Sequence, residues 1–276
     1  MSSFPGSILL SGAQIMAETT KKIHPLGTRG YTRDGRVFRY TRNGGVALKS
    51  GEVCQSAVPS AYAVLLDSGT TKISANSSKM TLVTSGNSLF TTKNAYADGY
   101  AWLRTSSTAK GAGQYCQIKS HSTESLTATG LVVFNFQAGD EFYAPSNATA
   151  MGTTGITVGL IRNPYDKIVV KPSGIVTAPI VGVPVRPVSV NTYFWLQTWG
   201  PCPVRGDAVA TKIGRTVGVS TDTSARFSGI NSTKNTSAVT ALYTWTFLSN
   251  VISAIGVQMI VGVSGEYRMV HLKIAP

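Results

Sequence analysis

Apolar and polar residues alternate with a period of two along much of this chain, the spacing of half-buried strands rather than of helices. The clearest case is Arg36-Val-Phe-Arg-Tyr-Thr41, which sets Phe38 and Tyr40 on one face and Val37 and Arg39 on the other. Asp34-Gly35 supplies the hairpin turn before it, because a two-residue loop needs positive φ, which Gly tolerates and Asp nearly does. Residues 114–119 set Tyr115, Gln117 and Lys119 against Cys116 and Ile118, and 131–136 read as a buried strand. Short strands are expected over 81–84 and 101–104. An aromatic strand is expected over 192–198 and another strand over 239–248. Residues 255–263 and 268–274 form a closing hairpin around Ser264-Gly265. No long amphipathic helix is found. Together these elements predict an all-β fold, a β-sandwich or β-barrel-like arrangement.

Breaks in the pattern suggest the organisation. Residues 1–25 have no clear period and read as an extended N-terminal arm, followed by a β-rich domain over 26–276. A β subdomain is expected as an insertion at about 61–155. Four prolines between 172 and 187 place that stretch on sheet edges or connections, since proline cannot donate to a ladder. Pro201-Cys202-Pro203 reads as a stiff extended turn. Residues 156–172 and 259–276 share an order of apolar strand, turn, Tyr, apolar strand and proline, a hint of a repeat set against the ordinary likeness of any two hairpins.

Charge then narrows the class of partner. The chain has 276 residues, a net charge of +13 and only 13% charged residues. Such a balance favours anionic partners, and the low charge density suits a surface covered by other subunits. The basicity is front-loaded: Lys21, Lys22, Arg29, Arg33, Arg36, Arg39 and Arg42 precede residue 43, against Glu18 and Asp34. These seven cations are the candidate partner-binding residues. The competing explanation is a solvated hairpin face whose Arg stems cover apolar surface. The cations are spread along the hairpin and do not form a polybasic tail, which argues against a dedicated nucleic-acid arm.

The residues offer little catalytic chemistry. Cys54, Cys116 and Cys202 are widely spaced and odd in number, which describes buried reduced thiols and not a disulfide framework. His24, His121 and His271 are isolated, with no metal-ligand spacing. The acids are scattered, with Asp140-Glu141 the only adjacent pair, and no nucleophile elbow, P-loop or dinucleotide fingerprint occurs. No enzyme activity, cofactor or metal is therefore expected. No apolar run approaches the length of a membrane span, so no membrane partner is expected. The aromatic cluster Tyr193, Trp195 and Trp199 has three readings: core packing, a subunit interface, or a stacking platform for sugars or bases.

The segment LGTRGYTRDGRVFRYTRNGG, residues 26–45, resembles the opening of a family of tailed-phage virion proteins, often encoded near the major capsid protein. Residues 158–172, 182–188, 193–204 and 266–276 are similar to the same family. The resemblance implies a head-decoration or cement role and carries over no catalytic residue. Its expected partner is the phage major capsid protein, bound at junctions between shell subunits by a trimer or other homo-oligomer. The expected location is the capsid surface of the virion, after assembly in the host cytoplasm. The absence of a long spine helix in the sequence separates the chain from the shell protein itself. Two alternatives stay open: a tail or fibre component binding host glycans through Trp195 and Trp199, and a basic nucleic-acid-binding virion protein.

Overall fold

A computed structural model describes residues 6–57, 63–68, 77–83, 90–104, 113–123, 131–143, 156–207, 212–220, 223–229, 254–263 and 265–276. The chain is all-β; among the described residues the one α-helix is a single four-residue turn. It divides into two compact units. One is built from 1–58 and 164–276, and the other is the continuous segment 59–163, where the sequence reading put an insertion at 61–155.

The first unit begins with three short elements: β1 (Ile8–Leu9), α1 (Gly12–Ile15) and β2 (Glu18–Thr19). They correct the expectation of an extended arm, for these residues fold back onto their own chain. Ser11 and Gln14 form a capping box: the Ser11 backbone N–H donates to Gln14 Oε1 at 2.8 Å, and the Gln14 N–H donates to Ser11 Oγ. The turn drives Leu10 and Ile15 into a cluster with Leu26, Phe38, Tyr40 and Trp195. Next come β3 (Arg29–Tyr31) and β4 (Val37–Arg42), paired antiparallel, with Arg29 opposite Arg39. The connection between them is longer than a two-residue turn. The Gly35 N–H donates to the Thr32 carbonyl, the Thr32 N–H donates to that of Arg36, and only Gly35 takes positive φ, at 83°. This is a three-residue loop closed by a glycine bulge, so Asp34 escapes the left-handed region. β5 (Cys54–Gln55) follows.

The second unit is a six-stranded antiparallel sheet. Its strands are β6 (Ala63–Ser68), β7 (Lys79–Val83), β8 (Tyr100–Leu103), β9 (Tyr115–His121), β10 (Leu131–Phe136) and β11 (Ile156–Ile161), in the order β6-β11-β8-β9-β10-β7. One face is the core, where Leu103, Cys116, Ile118, Phe134 and Leu160 pack with Phe90 and Tyr96. β10 is buried on this face only: Val132, Phe134 and Phe136 point in, while Leu131 is exposed. In β9 the alternation at Cys116 and Ile118 holds, and then a register shift opposite Asn135/Phe136 brings His121 inward as well.

The chain then returns to the first unit through β12 (Val169–Val170), β13 (Ile180–Pro184), β14 (Tyr193–Arg205), β15 (Thr216–Val219), β16 (Phe227–Gly229), β17 (Ala254–Gln258) and β18 (Tyr267–Lys273). The main path of this sheet runs β1-β3-β4-β14-β18-β17-β15-β16. β14 is its spine. Its first half pairs with β4 and its second half with β18, on either side of a bulge between Gln197 and Trp199. Pro201-Cys202-Pro203 is therefore strand and not a turn. The prolines are exposed while Cys202 and Val204 are buried. The Arg205 N–H points away from β18 to the Gly51 carbonyl, and Pro201 and Pro203 share its parity, so no ladder bond to β18 is forfeited. Both faces of the centre are covered: Phe194 and Leu196 belong to one cluster, Phe38, Tyr40 and Trp195 to another. Burying one Phe side chain contributes about 2–3 kcal/mol.

Two further expectations change. β17 ends at Gln258, and Met259, Ile260, Val261 and Val263 lie exposed beyond it. The apparent repeat is not structural, because β11 pairs with β6 and β8 whereas β12 pairs with β5 and β18 with β14 and β17. The strand expected over 239–248 lies outside the described residues.

Candidate functional site

The hairpin tip and the folded-back N-terminal turn enclose an open cleft of about 550 Å³. Leu9, Leu10 and Ile15 supply apolar lining; Arg33, Asp34 and Arg36 supply the charged part. Three local features build it. The capping box fixes the turn that carries Ile15, the parallel pairing of β1 with β3 fixes Leu9 and Leu10, and the bulge at Gly35 projects the tip. Arg36 is held in place: its Nε donates to Asp34 Oδ2 at 2.8 Å and its guanidinium lies 5.8 Å from the Phe38 ring centroid. The Thr32 hydroxyl, and then Arg36, hold the Asp34 carboxyl below its usual range. Arg33 is exposed and makes no ion pair among the described residues. An apolar lining beside one held and one free guanidinium suits an apolar side chain flanked by carboxylates.

The other predicted cations lie outside this cleft. Arg29 donates to Ser7 Oγ at 2.8 Å and lies over Tyr31. Arg39 donates to the carbonyls of Gly27 and Pro276, at 3.2 and 2.8 Å. Arg42 sits 3.8 Å from Asp166 and over the Tyr193 ring. These three guanidiniums tie the first unit together. Lys21 and Lys22 are exposed on the segment between β2 and β3.

Of the aromatic candidates, Trp195 belongs to the core and Tyr193 packs against it, while Trp199 stands outside the core clusters. Trp195 is 4% exposed and packs edge-on to Tyr40. Tyr193 is half-buried and stacks on Tyr40 with rings 9° from parallel. Trp199 is half-buried and meets His271 edge-on. Trp195 thus offers no ring face for a sugar or base.

One group of residues escaped the sequence reading. Lys171 is fully buried, and its Nζ donates to the Ser220 carbonyl. The Ser220 hydroxyl donates to the Asp207 carboxylate, as does Thr223 Oγ1 at 3.1 Å. Arg268 Nη2 donates to the Asp207 carbonyl at 3.0 Å and its guanidinium lies over Phe227. These residues lie far apart in sequence, and no local spacing announces them. They knit the ends of β14, β15 and β18 to the segment after β12.

Burial governs the three thiols and the His121 imidazole. All three cysteines are free and buried. Burial pushes Cys116 and Cys202 up to about 12, and Cys54 higher still, so none is a thiolate at neutral pH. His121 is neutral: Nε2 accepts from the Tyr96 N–H and Nδ1 donates to the Ser122 carbonyl, while burial lowers its pKa. Among the described residues no group of three or more His, Cys, Asp or Glu could hold a metal ion, and no helix is long and apolar enough to cross a membrane. No protein-family model, curated protein or solved structure matches the chain.

Proposed function

We propose that this chain is a structural virion protein that decorates and stabilises a phage capsid, docking at junctions between shell subunits as a trimer or other homo-oligomer on the capsid surface. The observation that carries the reading is the cleft at the hairpin tip, where exposed Arg33 stands beside Leu9, Leu10 and Ile15. Such a cleft takes an acidic, partly apolar segment of a neighbouring protein. Charge supports an anionic partner: the unit formed by 1–58 and 164–276 carries +11 of the chain's +13. The hairpin is also the stretch whose wording resembles tailed-phage virion proteins. The mechanism is additive burial. Each copy clamps adjacent shell subunits, and a repeating lattice makes modest single contacts sufficient.

The test is cosedimentation of the purified protein with heads that lack it, at low and high salt, with stoichiometry by gel. Saturable binding at a fixed ratio to the shell protein, with heads that rupture at higher temperature, supports the proposal. Failure to bind heads at either salt rejects it.

A further inference from the structure

The outward face of the six-stranded sheet carries an aromatic strip that the core does not use. In β8, Ala101 and Leu103 point into the core, so Tyr100 and Trp102 point out. In β9, Cys116 and Ile118 point in, so Tyr115 and Gln117 point out. The register sets Trp102 between Gly159 of β11 and Tyr115 of β9, and Tyr100 opposite Gln117. Gly159 has a specific role here. A Cβ at that position would fall within the indole of Trp102, so the glycine lets the ring lie down on the sheet and turn a face outward. Tyr115 is 70% exposed, and its ring meets that of Tyr100 edge-on at 6.1 Å. Polar groups flank the strip: Gln117 on β9, and the pair Asn135–Ser120, whose side chains bond at 3.1 Å.

We propose that this strip is a glycan-binding face that takes a short stretch of uncharged polysaccharide. Aromatic faces attract the polarised C–H face of a pyranose ring, while neighbouring amides and hydroxyls meet its hydroxyl groups. Three adjacent strands span about 10 Å, room for more than one sugar ring. The strip alone would also suit unstacked nucleic-acid bases, and charge decides between them. Single-strand binding combines stacking with a positively charged groove. The unit formed by 59–163 has seven Lys and Arg against five Asp and Glu, a net of +2 in a chain of +13. Most of the chain's basicity therefore lies in the other unit, and the exposed cations on these strands, Lys119 in β9 and Arg104 after β8, are too few to make a groove that tracks phosphates, which favours an uncharged ligand. The site differs from the Trp195 and Trp199 platform considered from sequence, and it does not depend on the capsid reading.

The experiment is titration of the full chain with cellohexaose, maltohexaose, laminarihexaose and chitohexaose, by calorimetry and tryptophan fluorescence, with an oligothymidylate as control. Binding of at least one hexasaccharide is expected, unchanged between low and high salt. Tyr115→Ala should weaken it about tenfold, the scale of one lost aromatic contact. Tyr115 is exposed, so that variant should melt with the wild type; Trp102→Phe, a milder change to the ring resting on Gly159, gives a second reading. Absence of binding to all four sugars overturns the proposal. So does sugar binding that both variants leave intact, and so does salt-sensitive binding of the oligothymidylate alone.

Discussion

Glu18 grips Ser189 twice: the Ser189 backbone N–H donates to Oε2 at 3.0 Å and the Ser189 hydroxyl to Oε1 at 2.9 Å. Arg186 completes the latch, 3.7 Å from the same carboxylate and bonded to the Met16 carbonyl. The N-terminal turn is thereby tied to the segment between β13 and β14, and the cleft at the hairpin tip keeps its wall.

Glu18→Ala should open that latch. The amides of Leu10 and Ile15, now bonded to the Tyr31 and Ser11 carbonyls, should exchange faster with solvent. The Ser189 N–H holds the Glu18 carboxyl below its usual 4.5, so the unfolded chain binds the extra proton. The latch is complete above about pH 4.5 and weakens as pH falls through the folded value. Hydrogen exchange at pH 7 and pH 4 checks both points; unchanged exchange in the variant would show that hydrophobic docking of Leu10 and Ile15 suffices alone.

What the sequence disclosed, and what it hid, follows from the range of the forces. The alternation at 114–119 was legible because pleating repeats every two residues and one face meets a core, whereas in 36–41 the alternating wording marked a strand whose Val37 and Thr41 are buried as well as Phe38 and Tyr40. The N-terminal docking was not, since β1 and β2 have two residues each, too few for a period. A local signal was present even so, for Ser11-Gly-Ala-Gln14 is a capping box in plain text. The proline-flanked Cys202 misled because a turn and an edge-facing strand ask the same of proline. The Trp102–Gly159 contact and the cluster around Asp207 depend on register between distant strands, which no local spacing encodes. Of the seven candidate cations, Arg33 and Arg36 line the cleft, while Arg29, Arg39 and Arg42 found partners within their own unit.

Asp207→Ala should be among the most damaging single changes in the first unit. It removes the acceptor of the Ser220 and Thr223 hydroxyls beside the fully buried Lys171. Breaking a buried charged network costs about 3–5 kcal/mol. That corresponds to a fall in Tm of roughly 10 °C for a unit of this size. Denaturant titration of wild type, Asp207→Asn and Asp207→Ala measures it, with the amide intermediate. A loss below about 1 kcal/mol would mean that the network adds nothing beyond an ordinary hydrogen bond.

His121 should make the second unit sensitive to mild acid. Its pKa lies below the ordinary 6.5 because burial disfavours the imidazolium. The unfolded chain therefore takes up the proton first as pH falls. Stability is full above pH 6.5 and declines toward the folded value. Protection of the β9 and β10 amides should drop between pH 7.5 and pH 5 in the wild type and change less in His121→Gln. An equal drop in both would assign the titration to another group.

Arg33 and Arg39 should separate partner binding from folding. Arg33 is exposed at the cleft, so Arg33→Glu should leave stability within about 0.5 kcal/mol of the wild type, as for other surface changes. Arg39 donates to two carbonyls, of Gly27 and Pro276, and Arg39→Ala should cost about 1–3 kcal/mol. The proposed capsid docking predicts the opposite ranking for association. Arg33→Glu should sharply weaken binding to heads at low salt, and less so at high salt, where the wild type is already screened. Arg39→Ala, assayed well below its Tm, should bind almost as the wild type does. Melting curves and head cosedimentation on the two purified variants give the four numbers required. Equal loss of binding in both would move the docking surface away from the hairpin tip.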